Sequence, residues 1–459
     1  MVVGGGVAGL VSALLLQEAG CDVVVIEKLP ELGGLARSTR YDGWTFDIGP
    51  HRFHTENPNV KAFLDRLIQG DGTFFPRVSE VFFKGKYYGW PIKPQNLVQL
   101  PPEIAAKASV DLVMNTFKEY EVDSFETYIL RQYGPTLYEH FFKNYSLKFL
   151  GIDPAVTHPD WAKVGINRAI IDDNAQMQNL AQLLKSTLLN FDQKIVRYLY
   201  PTKGMYQAWD SLEDRFTALG GQVIKGSGAV MSGDNGRVHE VRAESGEAFE
   251  PSVVIWTAPI TLAMSQLQLD VPHLPYLGLL LYNVCIERDI PRDYQWCYYG
   301  AKDLLVNRIS VPKHFSEATA PPGCSGLCVE VTCMKDDARW NHAERLSDWV
   351  VDDLIRVGLI PSRRVVHDVY IERIPNSYPV YHKHYPEELE KARKSLGQFD
   401  NLHLAGRTGM FWYNNMDHSI ENALQLTRRL LRDAGHAELT EMDLADGTSI
   451  GADARAATA

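Results

Sequence analysis

The sequence predicts an α/β fold: a discontinuous, doubly wound nucleotide-binding domain joined to a helical domain and an antiparallel β-sheet domain. Three observations predict it. Residues 1–28 read as strand, glycine turn, helix and strand, with an acid closing the second strand. Residues 95–190 are dominated by helical periodicity with Pro and Gly punctuation. Residues 277–287, 304–310 and 326–333 are alternating or β-rich runs, suited to an antiparallel sheet.

At 459 residues, with 45% hydrophobic and 22% charged side chains, the chain has the profile of a globular protein of two or three domains. The net charge of −11 argues against a nucleic-acid partner, which needs a basic surface. No apolar run reaches the roughly 20 residues that cross a bilayer, so no membrane span is expected. Met1 leads straight into the first strand, and a cytoplasmic location is expected. Cys324, Cys328 and Cys333 cluster without a His at ligand spacing or a CxxC pair, so reduced cysteines are expected rather than a metal site.

Val2-Val3 opens the first strand and Gly4-Gly5-Gly6-Val7-Ala8-Gly9 follows, leading into a helical run that Gly20 stops. Cys21–Ile26 is the next strand, ending in Glu27-Lys28. A GxGxxG alone is a weak signal. Between strand and helix, with an acid at the end of the next strand, it is a Rossmann-like dinucleotide site. Gly4 and Gly6 allow a pyrophosphate to approach the helix N-terminus together with Val7 and Ala8, Gly9 lets helix and strand pack, and Glu27 faces the ribose hydroxyls beside Lys28. Glu31-Leu32-Gly33-Gly34-Leu35-Ala36-Arg37-Ser38 resembles the second glycine motif of the amine-oxidase-like FAD superfamily. That resemblance implies FAD, with Gly34, Leu35, Ala36 and Arg37 against the cofactor.

Further along, the motifs resemble one family, the UDP-galactopyranose mutases and their relatives acting on nucleotide sugars. Phe46-Asp47-Ile48-Gly49-Pro50-His51-Arg52-Phe53-His54-Thr55 is similar to the family's histidine loop. Ser124–Gly134 and Leu137–Gly151 are similar to its helical substrate domain. Arg168–Asn174 and Asn307–Ser310 resemble the segments carrying two diphosphate-binding arginines. Ala405–Asp417, with the amphipathic run Ser419–Leu431 behind it, resembles the box that closes the flavin site. The motifs fall in family order over most of residues 1–434.

The resemblance implies further cofactor contacts from Gly49, Pro50, His51, Gly406, Arg407, Asn415, Met416 and Ser419. It implies substrate contacts from Phe141, Tyr145, Phe149, Leu150, Arg168, Asn174, Arg308, Tyr378, Tyr381 and Tyr413, with His51, Arg168, Arg308 and Tyr413 carrying the chemistry. The planar fork of arginine suits phosphate oxygens. Without the resemblance, Arg168 and Arg308 would read as ion-pair or surface residues, and the tyrosines as half-buried aromatics. The implied activity interconverts pyranose and furanose forms of a nucleotide sugar by covalent catalysis at N5 of reduced FAD. It brings in an external reductant such as NAD(P)H, and it leaves room for a homodimer. Three departures stand out: Leu150 where UDP-using relatives carry a Trp, Thr332 in place of a tyrosine, and Asn415 in place of an acid. They point to a sugar nucleotide other than UDP-galactose, with GDP as the candidate. The alternative is an oxidase of the amine or protoporphyrinogen oxidase type. A flavoprotein that serves only as a scaffold is the third possibility, and the intact histidine loop argues against it.

The expected domain boundaries are 1–80 with 198–262 and 395–434 for the FAD-binding domain, with strands at 237–244 and 253–257. The helical substrate domain takes 95–190, the antiparallel sheet domain 81–94 with 263–394, and a mobile tail 435–459.

Overall fold

The structure is a computed structural model that describes residues 1–90, 99–115, 117–165, 197–436 and 440–446. Five parallel strands form the nucleotide-binding sheet in the order Leu402–Leu404, Val254–Trp256, Val2–Val3, Val24–Ile26, Gln222–Ile224. The first strand sits at the centre, so its apolar residues face helices on both sides, and Val2 and Val3 are buried. Helix Val7–Glu18 packs on one face together with Met416–Asp433 and Tyr206–Ala218. The domain is discontinuous because these strands come from four separated stretches of chain.

Two local expectations are corrected. Arg237–Ala243 does not join the nucleotide-binding sheet; it pairs with Ala229–Asp234 and Ala248–Phe249 in a separate three-stranded sheet. Its alternating buried and exposed residues suit a sheet covered on one face only, whereas the parallel strand Val254–Trp256 is buried throughout. Arg197–Pro201, at the start of a segment whose sequence reads as a turn and helix over 198–221, is a strand antiparallel to Gly72–Pro76.

The second large sheet has seven strands, in the order Val366–Pro379, Tyr276–Ile286, Ser325–Cys333, Arg308–Ser310, Trp296–Tyr299, Ser79–Phe83, Lys86–Gly89. Every pairing is antiparallel except Trp296–Tyr299 with Ser79–Phe83, which is parallel, so the expected antiparallel sheet is mixed at one junction. Tyr276–Ile286 and Ser325–Cys333 are buried along their whole lengths, and this sheet is the rigid floor under the site.

Helices Pro102–Asn115, Phe125–Leu137 and Lys143–Leu150 form the helical region. Ser124 caps the second through a reciprocal pair with Thr127, and Gly134–Pro135 kinks it. The expected tail is also corrected: Glu441–Asp446 is helical, and Leu444 and Ala445 are buried in the core shared with Val60–Ile68 and the C-terminal helix. Two apolar side chains with a surface to cover are enough to dock one turn of chain that composition alone read as detached.

Candidate active site

The first glycine motif forms the turn its spacing requires. A Cβ on Gly9 would lie 2.1 Å from the Gly4 carbonyl oxygen, so helix and strand meet only because the side chain is absent. The helix that follows has no side-chain cap at Gly6, which leaves its first N–H groups for an anion. Gly33 and Gly6 form a bridge between the two glycine motifs. Gly34, Leu35 and Ala36 make one turn of 3₁₀ helix there, with the Ala36 carbonyl accepting from the Trp209 indole at 2.7 Å.

Glu27 is buried, and its carboxylate accepts from Gly5 N at 2.6 Å and Leu29 N at 2.8 Å. It therefore shapes the glycine turn as well as lying beside it. Lys28 next to it is exposed. Arg37 donates to the Gly34 carbonyl and to Glu372, each from a different terminal nitrogen, so the second motif is tied to the large sheet.

Beyond this cradle lie two cavities. The first, about 290 Å³, is lined by Leu35 and Pro50, by His51, Arg52, Arg77, Arg308 and Arg407, and by Tyr298, Tyr378, Tyr413, Asn415 and Met416. The second, about 320 Å³, is aromatic: Phe83, Phe141, Phe142, Tyr145, Phe149 and Trp161 line it. Tyr298, Arg308 and Tyr413 line both, so the cavities meet at these three residues.

Arg308 donates from Nε and Nη2 to the two oxygens of Glu330 at 2.6 and 2.7 Å, and from Nη2 to the Tyr378 hydroxyl at 3.3 Å. Nη1 has no hydrogen-bond partner among the described residues. Glu330 is completely buried. The pair thus fixes the guanidinium with one edge spent on protein and the other toward the cavities. Gly49 closes over this pair: at φ +80°, a Cβ there would sit 3.0 Å from the Glu330 carboxylate and 3.3 Å from Arg308. The histidine loop therefore needs glycine in order to pack on the ion pair.

His51 lies beside that turn. Burial, with Arg407, Arg52 and Arg308 nearby, lowers its imidazole to about 3, so it is neutral at physiological pH. Its Nδ1 is enclosed and has no hydrogen-bond partner among the described residues. Arg407 is held by the carbonyls of Ser377 and Asn414, with its guanidinium 5.1 Å from the Tyr413 ring. Gly406 donates to Asn422, and Ser419 donates to Asn414. Asn415 starts helix Met416–Asp433 without a side-chain cap, and the N-terminus of that helix borders the first cavity.

On the aromatic side, Tyr145 and Phe149 stack one turn apart at 5.7 Å, and Tyr413 stacks on Trp161 at 5.0 Å. Tyr378 packs edge-on to both Phe149 and Tyr413. Tyr381 lines neither cavity; its hydroxyl accepts from Tyr413 N and stands behind that residue.

Two of the three departures from the family pattern lie away from both cavities. Leu150 is 1% exposed, belongs to the hydrophobic core and lines neither cavity. Thr332 is buried, donating to the Phe149 carbonyl and accepting nothing from the cavity side. Helical geometry explains Leu150: one residue beyond Phe149, it turns about 100° away from the cavity face. Arg168 and Asn174 lie outside the described residues.

Sequence reasoning missed Arg52, Arg77, Trp161, Tyr298 and Glu330. Arg52 lay inside the histidine loop, its guanidinium 4.9 Å from the Trp296 ring. Glu330 had a readable signal, because it is the one acid in the apolar run 327–333. Among the described residues no group of His, Cys, Asp or Glu could hold a metal, and all six cysteines are free. No described helix is long and apolar enough to cross a membrane.

The cradle, cavities and uncapped helix ends fit a flavin dinucleotide. Comparison with known proteins agrees with that geometry. Residues 2–67 match the model of an NAD(P)-binding Rossmann-like domain. A probable UDP-galactopyranose mutase of Klebsiella pneumoniae is 32% identical over 166 residues, 34% of this chain and 41% of that one. The chain thus matches less than half the length of this relative. An uncharacterized protein in the nifH2 3′ region of Methanothermococcus thermolithotrophicus is 40% identical over 101 residues, 22% of this chain and 89% of that one. Among solved structures, reduced UDP-galactopyranose mutase superposes with a TM-score of 0.80 at 19% identity, covering 98% of this chain and 96% of the other. A putative protoporphyrinogen oxidase from Exiguobacterium sp. 255-15 gives 0.73 at 16%, covering 94% and 98%. With its two linked glycine motifs, its histidine loop and its paired sheets, the chain has the fold of reduced UDP-galactopyranose mutase, opening on a Rossmann-like nucleotide-binding domain.

Proposed function

We infer that this chain interconverts the pyranose and furanose forms of a nucleoside-diphosphate sugar. The observation that carries the reading is Arg308, held by a buried carboxylate where the two cavities meet, with one edge of its guanidinium unspent. Reduced FAD, when bound, supplies the nucleophile that takes up the sugar. The chain's residues do the rest. Gly4, Gly6, Gly9 and Gly34 would let the backbone approach the cofactor's pyrophosphate, and His51, Pro50 and Met416, which line the first cavity, would hold its ring. The aromatic cavity takes the nucleoside, stacked among Phe141, Tyr145, Phe149 and Trp161. Arg308, together with Arg168 as the resemblance implies, holds the diphosphate while it is detached from the sugar, so that it remains in place for recapture. Neutral His51 adds no charge beside the cofactor.

The fold likeness also covers oxidases. A cationic amine, however, would meet Arg52, Arg77, Arg308 and Arg407 in the first cavity, and four guanidiniums against the Asp417 carboxylate favour an anion. Leu150 and Thr332 line neither cavity, so among the three departures the preference for a nucleotide other than UDP is carried by Asn415, while Trp161 supplies an indole to the aromatic cavity. The base is therefore assigned by experiment. Protein reduced with dithionite is incubated with a panel of UDP-, GDP- and TDP-sugars, and the products are separated by chromatography. A furanose product from one of them is expected. Oxygen-dependent oxidation of an amine, with no isomerised sugar nucleotide, would overturn the assignment.

A further inference from the structure

Lys148 lies on the helix Lys143–Leu150, between Tyr145 and Phe149, and its ammonium leaves the aromatic cavity for the turn that joins strands Trp296–Tyr299 and Arg308–Ser310. There it donates to four carbonyls: Tyr299 at 2.8 Å, Ala301 at 3.1 Å, Leu304 at 3.0 Å and Val306 at 2.6 Å. Three N–H bonds shared among four carbonyl oxygens enclose the ammonium almost as a cation site would. The same turn is gripped from its outer side, where Asp353 accepts from Leu305 N at 2.6 Å and Val306 N at 3.3 Å, and Arg356 donates to the Asp303 carbonyl at 2.7 Å. Burial lowers the Lys148 ammonium to about 8, with Asp353 and Asp303 opposing, so it is charged at neutral pH.

The two strands leaving this turn carry Tyr298 and Arg308 to the junction of the cavities. The helix that carries Lys148 supplies Tyr145 and Phe149 to the aromatic wall. Gly300 closes the arrangement, since a Cβ there would sit 3.5 Å from the Tyr145 Cβ. One side chain therefore spans the gap between the wall that faces a base and the arginine that faces a phosphate.

We propose that Lys148 is a positioning residue whose ring of four carbonyl contacts sets the spacing between the aromatic wall and Arg308, matching it to the length of a nucleoside diphosphate. The proposal rests on the sugar-nucleotide reading above. Lys148 lines neither cavity, so its loss acts on binding through the turn and leaves flavin content unchanged.

The test compares Lys148→Met and Lys148→Arg holoenzymes, with UDP and GDP as probes read by tryptophan fluorescence and amide hydrogen exchange followed over residues 299–307. In Lys148→Met, exchange in this segment rises and affinity for whichever probe the wild type binds falls about tenfold or more. KM for the sugar nucleotide rises by more than kcat falls. Lys148→Arg retains affinity within about threefold, because it keeps the charge and several donors. Asp353→Asn, which leaves Lys148 in place, loosens the same turn and serves if Lys148→Met does not fold. Unchanged exchange over 299–307, with probe binding within about twofold of wild type, would overturn the proposal. A wild-type protein that binds neither probe would sink the sugar-nucleotide reading instead, and the exchange comparison would still decide whether Lys148 holds the turn.

Discussion

Arg308 and Glu330 show why a single residue here cannot be weighed alone. Glu330 is completely buried, so removing the guanidinium leaves an unpaired charge, which costs about 3–5 kcal/mol in comparable buried pairs. Arg308→Ala should therefore lose stability as well as turnover. Arg308→Gln combined with Glu330→Gln removes both charges. It should recover most of the stability while turnover stays down by tenfold to more than a hundredfold, the equivalent of about 1.5–3 kcal/mol for a lost charge-assisted contact. Full activity in the double variant would remove Arg308 from the diphosphate site. His51 makes a second prediction. Its folded-state pKa of about 3 lies below the ordinary 6.5, so its contribution to stability is complete above 6.5 and is lost as pH falls toward 3. Asp47 acts in the opposite sense: burial raises it to about 6, so its contribution is present below 3.8 and is lost as pH rises through 6. Melting wild type and His51→Gln side by side from pH 7 to pH 4 cancels Asp47. The wild-type midpoint should fall the more steeply, and parallel curves would contradict a buried neutral His51.

At the scale of elements, the helix Lys143–Leu150 has one face on the aromatic cavity and one in the core. Tyr145, Ser146 and Phe149 line the cavity, and Leu150 lies in the buried interior. Introducing the indole that UDP-using relatives carry, Leu150→Trp, should therefore overpack the core and destabilise by about 1–3 kcal/mol, measured by denaturant unfolding, without strengthening UDP binding. Trp161→Ala should weaken the binding of the preferred nucleoside diphosphate, since a stacking ring contributes about 0.5–1.5 kcal/mol beyond its buried area. Tighter UDP binding in Leu150→Trp would place position 150 in the cavity after all. The seven-stranded sheet gives the site its rigidity. Its central strands are buried on both faces, and two adjacent strands present Arg308 and Glu330 opposite each other in register.

At the scale of the molecule, the nucleotide-binding sheet is assembled from distant segments, and a flavin held by the glycine motifs would lie where several of them converge. Binding a ligand there would bring the first glycine turn, the histidine loop and the C-terminal box together around it. Purified protein should be yellow, and acid denaturation should release FAD intact. Adding FAD to apoprotein at about a hundred times its Kd should raise stability by about 2.7 kcal/mol, visible as a higher thermal midpoint. Protein that neither releases FAD nor responds to it would overturn the cofactor reading.

The amino-acid sequence by itself determined the features that depend on near neighbours. The glycine turns, the acid after the second strand, the alternating strands and the helical stripes are set by backbone freedom and side-chain period over a few residues, and most of them stand where their spacing put them. Only the tertiary structure decided which side of a helix or a strand faces the cavity, and so buried Leu150 on its helix and Thr332 on its strand. It alone paired Arg308 with Glu330 across adjacent strands, brought Trp161 onto Tyr413, and kept Arg237–Ala243 out of the nucleotide-binding sheet. Those outcomes depend on contacts between residues far apart in the chain. A local period tells which positions share a face, and packing against the remainder of the molecule decides what that face meets.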